Sequence, residues 1–400
     1  MKVYLKASGR ILAPWQDSVS DIQVLGRSLA SLMEEEFERA GIVRVDHPPS
    51  TEPYLLVSDR TWITGAALKA FCALASPGDR LKVDNALWLD LTTPLQDLPS
   101  PGVYEVALLP GGAEPEFDGL NDLVVDLQIE ERESPREHPA LAHAMPDVLP
   151  FTDAAVVQID HWSHILQANW MAISSTFARE GRAFKRKGIL AKVWGLLRLF
   201  WRARSVSKWK LARGLSHIPK SAQVHPTAVV ELSVIGENAE IGPHSVVRGS
   251  VVGDGVRIEE HAIVNASVLG EGARIGKRGT ANLCVLYPEA FISAGAGHQA
   301  CVFGREAFLA WSVTTYDLSF GRPIKVQKDG KRVSSGVYFL GSAIGHRAKV
   351  GAHVKLGFGT EVPNDAVLVG DSETVLKNWE DGEGPHRVQS GVARPIKSSS

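Results

Sequence analysis

Histidines, cysteines and clustered basic residues are the side chains through which this 400-residue chain could do chemistry. A neutral imidazole can take a proton from an amine or hydroxyl near pH 7, so each histidine is a candidate general base. His161 and His164 fall at i, i+3 on what reads as one helical face, where they could hold a metal. No third ligand is identifiable, and helix-to-domain packing is the competing role. His244 and His261 are seventeen residues apart, His298 stands in SAGAGHQAC (293 to 301), and His346 and His353 follow towards the C-terminus. The alternative for each is a solvated or hydrogen-bonded histidine. Cys301, three residues beyond His298, reads as a small core residue rather than a nucleophile. Cys72, Cys284 and Cys301 are too few and too scattered for a disulfide framework, and they lack the paired spacing of a zinc site.

What must position these residues is a repeat. From Ile218 the chain can be written in lines of seventeen: IPKSAQVHPTAVVELSV, IGENAEIGPHSVVRGSV, VGDGVRIEEHAIVNASV and LGEGARIGKRGTANLCV. Column one is Ile218, Ile235, Val252 and Leu269; column seven is Val224, Ile241, Ile258 and Ile275; column thirteen is Val230, Val247, Val264 and then Ala281. Each line divides as six, six and five, and six-residue spacing returns at Ile344, Val350, Leu356, Val362 and Leu368. This period fits neither a helix nor a long alternating strand. It fits a parallel β-helix whose coils stack about 4.7–4.9 Å apart with one aliphatic side chain per side pointing inward. His244 and His261 share column ten and should stack about 5 Å apart on adjacent coils. Between Leu286 and Ala343 the hexads falter, and residues 316–336 read as a hairpin around Lys328, Asp329 and Gly330.

IGENAE, IGPHSV, LGEGAR, IGHRAK and VGAHVK carry the pattern [LIV]-G-x-x-[STAV]-x. In them the chain resembles the hexapeptide-repeat acyltransferases, which implies a left-handed β-helix over about 150 residues and acyl-CoA as cosubstrate. In that family a histidine after a β-helix corner deprotonates the acceptor. LGEGARIGKRG (269 to 279) aligns with the stretch carrying that base and has Lys277 in its place, while His298 falls near the family's G-A-G-T segment. The resemblance therefore names His298 and Lys277 as the catalytic candidates. It also implies a homotrimer with acyl-CoA between neighbouring prisms.

Residues 1–155 mix Pro-rich turns, the apolar run YLLVSD (54 to 59) and the helical pattern SLASLMEEEFERAG (28 to 41), an α/β domain. LKASGRILAPW (5 to 15) resembles the L-A-A-G-x-G-T-R-L-x-P loop of sugar-1-phosphate nucleotidyltransferases, LVSD (56 to 59) the segment with their metal-binding aspartate, and PGVYEV (101 to 106) their N-x-G-x-Y segment. One glycine and the threonine of the loop are missing. The resemblance implies a degenerate nucleotidyltransferase-like domain in which Ser8, Gly9 and Arg10 would meet a nucleotide and Asp59 would hold Mg2+.

Residues 156–216 read as a helical connector. Its stretch from 179 to 213 has 12 Lys or Arg and one acid, against 31 and 44 in the remainder. Here residues 181 to 214 read as one helix, on which Trp194 and Trp201 fall on an apolar arc with Lys192, Arg198 and Arg202 opposite. Such a helix suits an anionic membrane surface, or else packs on the protein. Nucleic acid is not an expected partner, since no recognition motif accompanies the charge. No apolar run approaches the roughly 18–20 residues that span a bilayer, and residues 1–15 lack a signal-peptide core. The expectation is a cytoplasmic protein, with attachment to the inner face of the membrane as one use of the connector. Residues 217–377 form the β-helix with its hairpin, and 378–400 a loosely ordered tail. The functional expectation is acyl transfer to a sugar phosphate or sugar nucleotide, with nucleotidyl transfer behind it. The alternative is a catalytically silent scaffold or regulator.

Overall fold

The computed structural model describes residues 1–133, 147–189, 192–195, 208–370, 377–381, 386–390 and 392–395. The N-terminal domain is a six-stranded sheet in the order Asn121–Val124, Asp79–Lys82, Val103–Leu109, Tyr54–Ser58, Lys2–Lys6, Val43–Val45. Strand 2–6 runs parallel to both neighbours, and 103–109 runs antiparallel to 54–58. Tyr54–Ser58 is buried throughout, as its unbroken apolar run requires of a central strand.

Three helices share a core with this sheet, each started by a polar cap: α1 (Leu29–Ala40) by Ser28, α2 (Gly65–Leu74) by Thr64 and α3 (Ala86–Thr92) by Asn85. The long α4 (Trp162–Arg186) opens on a capping box made of histidines. His161 Nδ1 accepts the Ser163 N–H at 3.2 Å, and His164 Nδ1 accepts the N–H groups of Asp160 and His161 at 2.9 and 3.1 Å. The i, i+3 spacing of the two histidines thus serves the helix start rather than a metal.

The second unit is a left-handed parallel β-helix. Its faces are an eight-stranded sheet from Gln223–Val224 to Val367–Leu368, a seven-stranded sheet from Val234–Ile235 to Glu361–Val362, and a five-stranded sheet from Val229–Glu231 to Gly297–Gln299. Equivalent residues pair coil to coil, as in Ile241↔Ile258↔Ile275 and Val230↔Val247↔Val264. These columns fill the prism, all at 2% exposure or less. At the corners Asn238, His244, His261 and Arg278 hold φ between 55° and 59°. Asn and His are among the side chains enriched in this left-handed region.

After Thr315 the chain leaves the prism, makes the hairpin Lys325–Lys328 and Lys331–Ser334, and returns at Ala343. Ile324 and Val326 of this excursion are buried in the same core as Val106 and Trp162 of the N-terminal domain. The units also meet through Trp15, which stacks on Tyr287 at 5.7 Å and donates its indole N–H to the Ile344 carbonyl at 2.8 Å. Asp17 accepts from Arg305 at 2.6 Å and pairs with His346 at 3.1 Å.

The C-terminal segment departs from the expected loose tail: Asn378–Trp379, His386–Gln389 and Val392–Pro395 form a three-stranded sheet in which Ala393 is buried. The connector departs as well. α4 stops at Arg186 with Lys187 extended, where Gly188 follows three consecutive cations, so no single helix runs from 181 to 214. A short α5 (Lys208–Gly214) leads into the first coil.

The prism makes a direct stability prediction. Ile258→Ala should cost about 2–5 kcal/mol in urea unfolding, because a buried branched side chain is lost from a stack that cannot collapse. Arg257→Ala, one residue away and pointing out, should stay within about 0.5 kcal/mol.

Candidate functional site

The loop expected to meet a nucleotide is assembled as a unit. Ser8 donates its backbone N–H to Asp59 Oδ1 at 2.9 Å, Arg10 donates its own to Ser8 Oγ at 3.2 Å, and Gly9 has φ 67°. Ser8, Gly9, Arg10 and Asp59 therefore come together, but on one another. Arg10 is ion-paired with Asp97 and lies 3.5 Å from Asp160 and 3.7 Å from Asp329, the last in the hairpin turn.

The other cations of this cleft are paired too. Lys6 reaches Glu116 at 2.6 Å. Arg60 forks onto Glu105, its Nε donating at 2.8 Å, and also bonds Asp160. Lys328 crosses from the hairpin to Asp97 and to the Leu95 carbonyl at 2.8 Å.

Burial works to raise the carboxyl pKa values here, and the cations decide the outcome. Asp97 ends below its ordinary value because Lys328 and Arg10 outweigh its burial, and Glu105 ends below because Arg60 does. Asp160, more deeply buried, ends above despite Arg60 and Arg10. A polyphosphate entering this cleft would meet cations already neutralised by carboxylates, so anion binding would have to break pairs rather than fill a waiting site.

The donor set does not fit Mg2+. Asp59 spends Oδ1 on the Ser8 amide, and among the described residues no three His, Cys, Asp or Glu groups converge as metal ligands.

On the β-helix, His298 and Lys277 do not share a cleft. His298 pairs in register with Ala281, which places its ring inside the prism at 0% exposure. There Nδ1 lies 3.2 Å from Thr315 Oγ1, Nε2 has no partner, and the ring meets Phe303 edge-on at 5.3 Å. Burial pushes its pKa down to about 3. A base sealed among core side chains cannot reach an acceptor outside, which corrects the expectation for His298. Lys277 lies on an exposed corner, 3.4 Å from Glu260.

The same corner carries the exposed pair His244 and His261, with ring centroids 5.1 Å apart and planes inclined by 18°. It borders a surface groove of about 510 Å³ lined by His225, Pro243, Arg257, Glu259, Glu260 and Arg274 among others. The Lys277 N–H donates to Glu259 Oε2 at 3.2 Å, tying the corner to the groove wall. These groups were legible as a shared column, but nothing in the sequence ranked them above His298.

Of the connector residues, Lys192 is half-buried and Trp194 is 72% exposed, while Arg198, Trp201 and Arg202 lie outside the described residues. Among the described residues no helix is long and apolar enough to cross a membrane.

With the fold in place, the class is that of chains that pair an α/β domain with a hexapeptide-repeat β-helix. Residues 212–307 match the family model of the GMPPB C-terminal domain. Solved structures similar to the chain include GDP-perosamine N-acetyl transferase from Caulobacter crescentus, in complex with CoA and GDP-perosamine, at 18% identity over 39% of this chain and 53% of that one, TM-score 0.14. UDP-N-acetylglucosamine O-acyltransferase from Moraxella catarrhalis is 16% identical over 36% of this chain and 69% of that one, TM-score 0.18. The polySia specific acetyltransferase NeuO is 14% identical over 45% of this chain and 84% of that one, TM-score 0.17. The chain thus spans about half the length of the first of these. No curated protein matches the chain.

Two buried histidines give the fold a pH dependence. His164, like His298, is held by burial at about 3, its Nε2 bonded to the Pro94 carbonyl at 2.8 Å. Both fall below the unfolded value near 6.5, so the unfolded chain binds more protons and stability is lost as pH drops through 6.5 towards 3. Each histidine contributes about 1.4 kcal/mol per pH unit in that window. His298→Val, which continues the column of Val247 and Val264, should reduce the loss between pH 6.5 and pH 5 by about 2 kcal/mol in urea unfolding. An unchanged profile would mean that the ring is not buried neutral.

Proposed function

We propose that this protein transfers an acyl group from acyl-CoA to a sugar phosphate or sugar nucleotide at the β-helix corner that carries His244, His261 and Lys277. The observation that carries the reading is the exposed, stacked imidazole pair beside a groove whose wall includes Arg257 and Arg274. Guanidinium groups suit the phosphates that both substrates bear. One imidazole takes the proton from the acceptor amine or hydroxyl as its nitrogen or oxygen bonds the thioester carbonyl carbon. The C–S bond then breaks, and the proton passes to the departing thiolate as free CoA. Glu260, held below its ordinary pKa by its own backbone hydrogen bond and by Lys277, remains an anion next to His261 and stabilises the imidazolium formed. A homotrimer that brings a second prism against this corner belongs to the same reading, because the groove is open on its outer side.

A second reading has its own support in the N-terminal cleft. Lys6, Arg10, Arg60 and Lys328 are all paired within the chain, as expected of a domain kept for docking after nucleotidyl transfer is lost.

The test uses the full chain with labelled acetyl-CoA and a panel of amino-sugar phosphates and nucleotides. Label should pass to an acceptor, and the double variant His244→Asn, His261→Asn should lower kcat/KM by about 10²–10⁴. His298→Val should leave the rate within a small factor of the parent. If no acceptor in the panel is labelled, or the double variant works as well as the parent, the acyl-transfer assignment fails and the non-catalytic reading stands.

A further inference from the structure

Just past the end of α4 the connector leaves its large apolar side chains uncovered. Ile189 and Trp194 are 80% and 72% exposed, and Val193 is exposed beside them. Packing on the protein, one of the two uses open to an apolar arc, is not what these residues do. Gly195 accounts for their orientation. A Cβ built on it would fall 3.0 Å from Phe184 Cε2, so the residue set against α4 is the one without a side chain, and the bulky ones before it face solvent.

The approach of Gly195 to Phe184 also gathers charge at this place. Lys185, Arg186 and Lys187 lie between those two positions together with Ile189, Val193 and Trp194, and all six are exposed. Lys185 meets Glu130 at 3.7 Å, but both side chains are more than half exposed and solvent screens the pair. The chain has 45 acids in 400 residues, yet none occurs between Glu180 and Glu231, a stretch that carries 12 Lys or Arg. Apolar surface continues onto the prism, where the exposed Leu232 of the first coil lines the same cleft as Lys185.

An occupant of this face has to be anionic over several charges and has to take up an indole and two aliphatic side chains. Nucleic acid supplies the phosphates but no apolar phase for Ile189 and Val193. A second copy of the face would set cations against cations. A bilayer with anionic headgroups supplies both halves: indole rings favour the headgroup level, aliphatic side chains enter the acyl boundary, and Lys and Arg are held by the surface potential.

We propose that this face docks the protein on a bilayer surface rich in anionic phospholipid, with Ile189, Val193 and Trp194 at headgroup depth and Lys185, Arg186 and Lys187 on the phosphates. The attachment is peripheral, because among the described residues no helix is long and apolar enough to cross a membrane.

Co-sedimentation of the full chain with phosphatidylcholine vesicles containing about 30% phosphatidylserine tests it. Binding is expected, falling as salt is raised, and at least about tenfold weaker on pure phosphatidylcholine. The triple variant Lys185→Gln, Arg186→Gln, Lys187→Gln should weaken it about a hundredfold, at about fivefold for each cation. Trp194→Ala should weaken it about tenfold. All four positions are exposed, so both variants should keep the parent's melting temperature, which separates lost docking from lost folding. No binding of the parent to the anionic vesicles overturns the proposal, as does equal binding to pure phosphatidylcholine or undiminished binding by both variants. A parent that ignores vesicles but retains a DNA duplex, or an oligomer that dissociates in Trp194→Ala, would give the face to nucleic acid or to a second copy, and the proposal falls. Neither readout depends on acyl transfer, so failure here leaves that assignment untouched.

Discussion

Registry between successive coils is the constraint on which the rest of the molecule depends. Up to the excursion each β-helix strand pairs with residues seventeen places away, and beyond it the offset is 41 and then 18, so whether a side chain faces in or out is inherited from the coil before it. A chain held this way cannot choose orientation residue by residue. Ile241, Ile258 and Ile275 fill the prism because the column does, and His298 goes inside because Ala281 and Val264 did. The same rule sends His244 and His261 outward at one corner and brings their rings to 5.1 Å. Chemistry on this fold is therefore possible only in columns that registry turns outward.

The break in registry after Thr315 explains the N-terminal cleft. A chain released from the prism there can reach the other unit, and it does so with Ile324 and Val326 in the shared core and Lys328 and Asp329 at the cleft. Asp97 then neutralises both Arg10 and Lys328, and Asp160 bridges Arg10 and Arg60. Asp160 is fully buried in this set, so removing Arg60 would leave a buried charge uncompensated, whereas the pairs of the partly exposed Asp97 are screened by solvent. Cations placed where phosphate contacts were expected have become part of what holds the units together.

How much of this was legible follows from the range of each interaction. The β-helix was readable because its signal repeats every coil, and many weak agreements outweigh any one mismatch. The interior place of His298 was readable too: column thirteen, extended one coil past Ala281, lands on it, and the shrinkage from Val264 to Ala281 makes room for the ring. Likeness to a catalytic segment pointed the other way, and registry prevails because it is set by backbone hydrogen bonds. Pairs such as Lys328 with Asp97 or Asp17 with Arg305 join residues more than two hundred positions apart, and no local pattern announces them. The capping box of His161 and His164 lay between these cases, since its spacing was visible but imidazole stands in for the usual Ser and Glu.

Polar atoms inside the prism obey the same logic as the aliphatic ones. Ser233, Ser250, Ser267, Cys284 and Cys301 form a buried column, and each side chain tends the backbone of the next coil: the N–H of Ser250 donates to Ser233 Oγ at 3.2 Å, that of Ser267 to Ser250 Oγ at 3.1 Å, that of Cys284 to Ser267 Oγ at 2.9 Å. The N–H of Ser342 closes the series on Cys301 Sγ at 3.3 Å, although the hairpin separates them in sequence. These amides sit at a corner, where the strand ladder is interrupted, and an unpaired buried N–H would cost more than the small side chain that satisfies it. Cys301 is thus a rung rather than a nucleophile. Placed one coil beyond Cys284, it lets registry resume on the far side of the excursion, and so the hairpin can reach the N-terminal domain without ending the prism.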